Sequence, residues 1–228
     1  MKRIYMIMLM IGAMMMSCNP KDDDDNHGGN NPNVGNEQHN GHEYVDLGLP
    51  SGLKWATCNV GANSPEDYGN YYAWGETQTA LDNNYIDDNC GSYGKSLEEL
   101  RTLGYIDENN NLTPQYDAAA ANWGGNWRMP TKAECRELVN ICTWKWARVN
   151  RVFGLRVTGP NGNSIFLPAA GYRYVSSLYY AESYGYYWSS TPDGSNTSDA
   201  CYLFFTSGGH HVEYSGRFNG HLVRPVSE

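Results

Sequence analysis

The run Pro130-Thr131-Lys132-Ala133-Glu134 constrains the fold of this 228-residue chain more than any other. Proline fixes its own φ and pushes Met129 toward extended backbone, so no helix passes through this point from the N-terminal side. Thr131 and Glu134 have the spacing of a capping box: the hydroxyl accepts from the amide three residues on, and the carboxylate accepts from the cap's own amide. A helix is therefore predicted from Thr131. Ala133, Leu138, Ile141 and Cys142 are its expected buried stripe, and Lys132, Arg136 and Glu137 its wet face. Most of the remaining chain reads as short strands and loops that need such a helix to pack against.

Two shorter helices are expected ahead of it. Ser96 with Glu99 forms a second capping box before Leu97, Leu100 and Leu103, and Gly104 supplies a left-handed stop. Thr113-Pro114 has the cap and first-turn pattern of a helix over 115–121, ending at Gly124. Residues 44–47, 53–57 and 71–74 read as strands, and 155–158 with 164–167 as a hairpin around Asn161-Gly162, which tolerate the positive φ of a tight turn. Residues 186–190, 201–206, 210–214 and 221–226 continue as an antiparallel meander. Eighteen Tyr, seven Trp and twenty-five Gly fit strands and tight turns. The fold class predicted is α+β, short antiparallel strands with one main helix and one or two minor ones.

A net charge of −9 without clustered Lys or Arg argues against nucleic acid or anionic lipid headgroups as partners. Lys2 and Arg3, an apolar run over 4–16 and Ser17-Cys18 have the layout of a cleaved lipoprotein signal, too short to span a bilayer permanently. The expected mature chain begins at Cys18, the lipidation site and membrane anchor. Asp22, Asp23, Asp24 and Asp25 resemble the surface-export signal of Bacteroidetes lipoproteins, which implies display outside the outer membrane. The domain plan is a signal peptide over 1–17, an acylated and flexible tether over 18–42, and one folded domain over 43–228.

A search for chemistry finds no G-x-S-x-G elbow, no H-E-x-x-H helix and no phosphate loop. Asp107, Asn109 and Asn111 imitate the start of a calcium loop, but Leu112 and Ala118 occupy the required glycine and glutamate positions. No cofactor or metal is indicated, and structural calcium in the Asn-rich stretch 82–89 stays open. His210 and His211 are adjacent, so on a strand they face opposite ways. Cys135 and Cys142 on one straight helix are too distant to bridge. Cys142 is either joined to Cys58, which follows a strand expected to pack on that helix, or both are buried free thiols.

Six segments then carry a resemblance: DLGLPSGLKWATCNVG at 46–61, YAWGE at 72–76, WGGNWRMPT at 123–131, GPNGNSIFLPAAGYR at 159–173, YWSS at 187–190 and VRPV at 223–226. In order and spacing the chain resembles the Fibrobacter succinogenes major paralogous domain. The resemblance implies a C-type-lectin-like fold, related to that of formylglycine-generating enzymes, on a surface lipoprotein. It implies no activity. The copper-binding cysteine pair of the oxidase relatives and the Glu-Pro-Asn or Gln-Pro-Asp tripeptides of calcium-dependent lectins have no counterpart.

The expected function is an adhesin-like, ligand-binding domain whose C-terminal strands and loops recognise a glycan or protein. Asp199, Tyr202, His210, His211, Tyr214, Phe218, Asn219 and His221 are its candidate contacts, and Tyr174, Tyr179, Tyr180 and Tyr184, with Tyr172 and Arg173, form a second aromatic cluster. The resemblance implies a further role, since some members of this fold are targets of diversity-generating retroelements: Asp199, Cys201, Tyr202, His210, His211, Tyr214, Ser215, Gly216, Phe218, Asn219 and His221 can all be reached from an asparagine codon by adenine changes. The competing classes are a divergent enzyme of the formylglycine-generating-enzyme-like fold and a structural envelope protein.

Overall fold

The computed structural model describes residues 37–228. The expected signal peptide, Cys18 and the tether up to residue 36 lie outside them. The described chain is mostly antiparallel sheet with few helices, a β-rich α+β protein. A four-stranded sheet orders β1 (Gln38–His39), β2 (His42–Asp46), β3 (Lys54–Ala56) and β12 (Val226–Ser227), so the first and last strands of the domain share a sheet. A three-stranded meander follows the main helix: β4 (Thr143–Val149), β5 (Val152–Thr158) and β6 (Ser164–Pro168). The largest sheet runs β11-β10-β9-β7-β8, from β7 (Ala170–Tyr174), β8 (Ser177–Ala181), β9 (Gly185–Pro192), β10 (Asp199–Thr206) and β11 (Gly209–Gly216). Within it β7 meets β9 in parallel at Gly171 and Gly185, the single departure from antiparallel pairing in this sheet.

Both capping boxes form. α1 (Leu97–Thr102) starts at Ser96. α3 (Lys132–Ile141) starts at Thr131, whose amide donates to Glu134 Oε2 at 2.7 Å while Thr131 Oγ1 accepts from the Glu134 amide at 3.3 Å. Arg128 clamps the same carboxylate with two bonds of 2.7 and 2.8 Å, so the cap is fixed from both sides. α3 packs against β9, β10 and β11. Cys135 and Leu138 are its buried residues, with Val139 and Cys142 beside them. Ala133 and Ile141, expected inside, are exposed, because the buried stripe is rotated by a residue or two around the helix.

α2 (Ala118–Trp123) begins later than expected. Thr113 donates its hydroxyl to Gly104 O at 2.7 Å and is not the cap. Asp117 is: its Oδ1 accepts from the Ala119 and Ala120 amides at 2.8 and 3.0 Å, and Oδ2 takes the Met129 amide at 2.8 Å. Burial pushes this carboxyl up to about 6, against three amides that favour its charged form.

The expected strand 71–74 makes one bridge, Tyr72 to His221, and 221–226 likewise makes only isolated bridges before β12. Residues 71–75 are buried on all sides, and their amides reach irregular backbone: Tyr72 N–H to His221 O, Trp74 N–H to Arg217 O. The folded domain also starts before Glu43. β1 pairs with β2, His39 O accepts from the Trp127 indole at 2.8 Å, His39 Nε2 accepts from the Asn126 amide at 3.0 Å, and Asn40 donates to Trp123 O.

Cys58 and Cys142 are free, as are Cys90, Cys135 and Cys201. The expected bridge fails because β3 pairs with β2 and β12 and leaves Cys58 beside Arg224, whereas Cys142 ends α3 over the other side of the core. Two buried arginines tie these layers together. Arg224 donates to Asn59 Oδ1, to the Ala56 and Thr57 carbonyls and to Phe166 O; Arg217 donates to the Asp199, Ser92 and Lys95 carbonyls over the Trp74 ring. Burying a guanidinium this way is tolerable because most N–H groups find a carbonyl oxygen, Arg217 Nη2 being left without a partner among the described residues.

Candidate functional site

Strand alternation sorts the candidate residues onto two faces of the largest sheet. The register pairs Tyr202 with Trp188 and Glu213, Phe204 with Tyr186 and His211, and Tyr172 with Tyr179. These side chains share one face. Tyr187, Leu203, Phe205 and Val212 alternate with them and belong to the core under α3. His210 and Tyr214 fall on that second face as well. His210 stacks on Trp144 at 4.5 Å, and Lys132 at the start of α3 donates to the Tyr214 hydroxyl. They therefore do not join His211, which faces the first side, 5.0 Å from Phe204 and with Nε2 3.2 Å from Glu213 Oε1.

The first face is a continuous aromatic surface. Tyr186 lies at its centre, 4.8 Å from Tyr172, 5.2 Å from Phe204 and stacked 5.5 Å from Tyr202. Tyr184 links Phe204 at 5.7 Å to Tyr180 at 4.8 Å, and Tyr172 reaches Tyr179 at 5.6 Å. The surface slopes from covered to open: Tyr202 is 8 % exposed, Tyr179 40 % and Tyr180 54 %. Burial among neighbouring rings pushes the Tyr172, Tyr186 and Tyr202 hydroxyls up, so they stay protonated donors. Tyr186 and Phe204 escaped the sequence reading, although the i, i+2 spacing of Tyr186-Trp188 and Tyr202-Phe204 was the available signal.

His221 was expected as a contact and is instead the floor. It is fully buried and stacks 4.0 Å from Trp188, with Tyr202 at 4.9 Å and Tyr186 at 5.3 Å around it. Nε2 lies 3.4 Å from Ser215 Oγ, and Nδ1 has no hydrogen-bond partner among the described residues. Burial holds its imidazole well below the usual range, hence neutral. The other expected contacts scatter. Phe218 packs between Tyr174 at 5.9 Å and Tyr93 at 5.2 Å, Asn219 donates to Ser215 Oγ, and Asp199 accepts from Asn196 at the far end of β10.

The open end of the surface is the β7–β8 hairpin. Tyr174, Val175, Leu178, Tyr179 and Tyr180 are each 39–54 % exposed, and β8 is an edge strand. Gly171 is what lets β8 approach: a Cβ there would sit 1.9 Å from Tyr179 O. The backbone is strained at both ends of β8, with Val175 at φ 50, Tyr180 at φ 55 and Glu182 at φ 66. A β-branched residue at positive φ is a conformational outlier. Tyr85 holds Val175 there through two backbone bonds of 2.9 and 3.0 Å. Surrounding contacts thus impose the strain, the pattern seen where a fold positions a functional surface.

No group of three or more His, Cys, Asp or Glu among the described residues is placed to hold a metal ion. Asp107, the imitation calcium ligand, accepts from the Asn109 and Asn111 amides in a turn.

The family model of the Lcl C-terminal domain matches residues 48–227, from just before β3 through β12, and the chain belongs to that family. No match was found among curated proteins or among solved structures.

Proposed function

We propose that the protein is a ligand-binding module in which the aromatic face of β7 to β11 is the recognition surface. The observation that carries the reading is the exposure of Tyr174, Tyr179 and Tyr180 on a strained hairpin, continuous with Tyr172, Tyr184 and Tyr186. Tyrosines offer rigid apolar area with a polar rim, which suits stacking on sugar rings or on peptide. Three rings about half exposed present on the order of 300 Å², below the roughly 600 Å² per partner at the low end of stable protein interfaces. The ligand is accordingly a glycan or a short peptide segment.

The finer assignment is a Fibrobacter succinogenes major paralogous domain of C-type-lectin-like arrangement, displayed on the cell surface through a lipid on Cys18. Among the positions considered for retroelement-driven variation, Cys201, Tyr202 and His221 are packed inside, so variation tolerated by this fold concentrates at outward positions such as His211.

Screening the full chain on glycan and peptide arrays tests the surface. Tyr179→Ala with Tyr180→Ala lowers binding of a captured ligand by at least about ten-fold, the loss of one stacked contact pair, while Tyr214→Ala on the opposite face leaves it unchanged. Binding lost in the Tyr214 variant and kept in the double variant would move the site to the other face.

A further inference from the structure

Behind the hairpin tip, the irregular loop between β3 and α1 lines a half-open cavity of about 580 Å³, in the size range of small-molecule sites. The strained Val175 and the loop residues Ala80 and Leu81 form its apolar wall. Its polar wall holds two carboxylates, Glu76 and Asp82, with amide and hydroxyl side chains, and none of the described residues lining it is Lys, Arg or His. The cavity shares the hairpin tip, Val175 and Ser176, with the open end of the aromatic face, and none of the stacked tyrosines lines it.

Glu76 gives the cavity its chemical character. It is half-buried, and burial pushes its carboxyl up. Its one hydrogen bond is the Gly91 amide donating to Oε1 at 2.9 Å. The ionisable groups that feel its charge, Tyr105 and Cys90, are themselves acids, and no cationic side chain among the described residues compensates it. A half-buried carboxylate in this state is under-paired, and a cationic guest relieves it.

The identity of the cation follows from what remains free. A hard divalent metal is held mainly by converging carboxylates, and no group of three or more His, Cys, Asp or Glu among the described residues is placed to hold one. A guanidinium is held best by both oxygens of one carboxylate, and at Glu76 the Gly91 amide already shares Oε1 and leaves Oε2 as the unshared oxygen. An ammonium needs one carboxylate oxygen and neutral acceptors for its remaining hydrogens. Asn89, whose amide nitrogen donates to Asn84 O, keeps its side-chain oxygen for that purpose. We infer that the cavity binds a small molecule bearing a primary ammonium group, with Glu76 as charge partner and Ala80, Leu81 and Val175 receiving its carbon skeleton.

Calorimetric titration of the full chain with cadaverine and with glucosamine tests this, each beside an uncharged counterpart, 1,5-pentanediol and N-acetylglucosamine. The expected result is saturable binding of one amine, at least about ten-fold tighter than its counterpart and weakened at least about ten-fold by Glu76→Gln, as for loss of a charge-assisted hydrogen bond. Cadaverine binding identifies an alkylamine source, glucosamine binding an amino sugar. Leu81→Trp, at a position 83 % exposed on the cavity wall, blocks the site and serves as the second variant should Glu76→Gln fold poorly. Absence of saturation by either amine at about 10 mM, equal binding of the uncharged counterparts, binding indifferent to both variants, or displacement of the amine by calcium would each overturn the proposal.

Discussion

The adjacent hairpins β5–β6 and β7–β8 are built by opposite rules. The first turns through Gly159-Pro160-Asn161-Gly162-Asn163, with Gly162 at φ 85, and points Leu155, Val157, Ile165 and Leu167 into the core at 0–4 % exposure. The second turns at a valine with φ 50 and holds its large side chains in solvent. Local turn chemistry and burial agree in one and conflict in the other, and conflict between levels marks places selected for something besides stability. The lesson is that the second hairpin is held in shape from outside, chiefly by Tyr85.

The strongest way to break this comparison is a matched pair of leucines. Leu167→Ala removes a fully buried side chain and costs about 3 kcal/mol, whereas Leu178→Ala, 39 % exposed, costs under about 1 kcal/mol. Urea unfolding of both variants decides it, and equal losses would mean that the second hairpin is as much core as the first.

Next in size is acid lability from the floor of the aromatic face. The folded pKa of His221 lies below its unfolded value, so the neutral ring's contribution is complete above about 6.5 and is lost as pH falls from there. The slope is about 1.4 kcal/mol per pH unit for one proton. His221→Phe should flatten the melting-temperature profile between about pH 6.5 and 5. An unchanged profile would assign the slope to other groups, His42 and His210 among them, which burial also holds low.

Exchanging turn residues probes the smaller term. Gly162→Val destabilises by about 1–2 kcal/mol, the cost of a left-handed L-residue, and Val175→Gly stabilises by up to about 1 kcal/mol through relief of the same strain. A loss on Val175→Gly would show that the valine side chain itself holds the tip. Smallest in stability is Tyr180→Ala, 54 % exposed, expected within about 0.5 kcal/mol of the parent while ligand binding falls.

Legibility in the sequence divides along the same line. Capping boxes and the Asn-Gly turn act within four residues, so Thr131, Ser96 and Gly162 were readable directly. The shape of the β7–β8 tip depends on Tyr85 and its bonds to Val175, far apart in sequence, and no local pattern announces that. β4 was missed because its Thr-Trp-Lys-Trp-Ala-Arg-Val run follows α3 with a single residue between and is only half-covered. Of the recognition strands, β9, β10 and β11 were foreseen and β7 and β8 were not, and facing was applied to His210 and His211 alone, although the same parity separates His211 from Tyr214. His221 was misjudged because a polar side chain was expected outside, while here aromatic rings enclose it.

The arginine contacts also bear on the order in which the chain is made. Ala56, whose carbonyl receives Arg224, emerges 168 residues before it, and Phe166 emerges 58 before it. A nascent chain that has not yet reached Arg217 and Arg224 holds its earlier sheets without the bonds that join them, and β3 without its partner β12. Closure is thus a late event during synthesis, timed by the position of two residues.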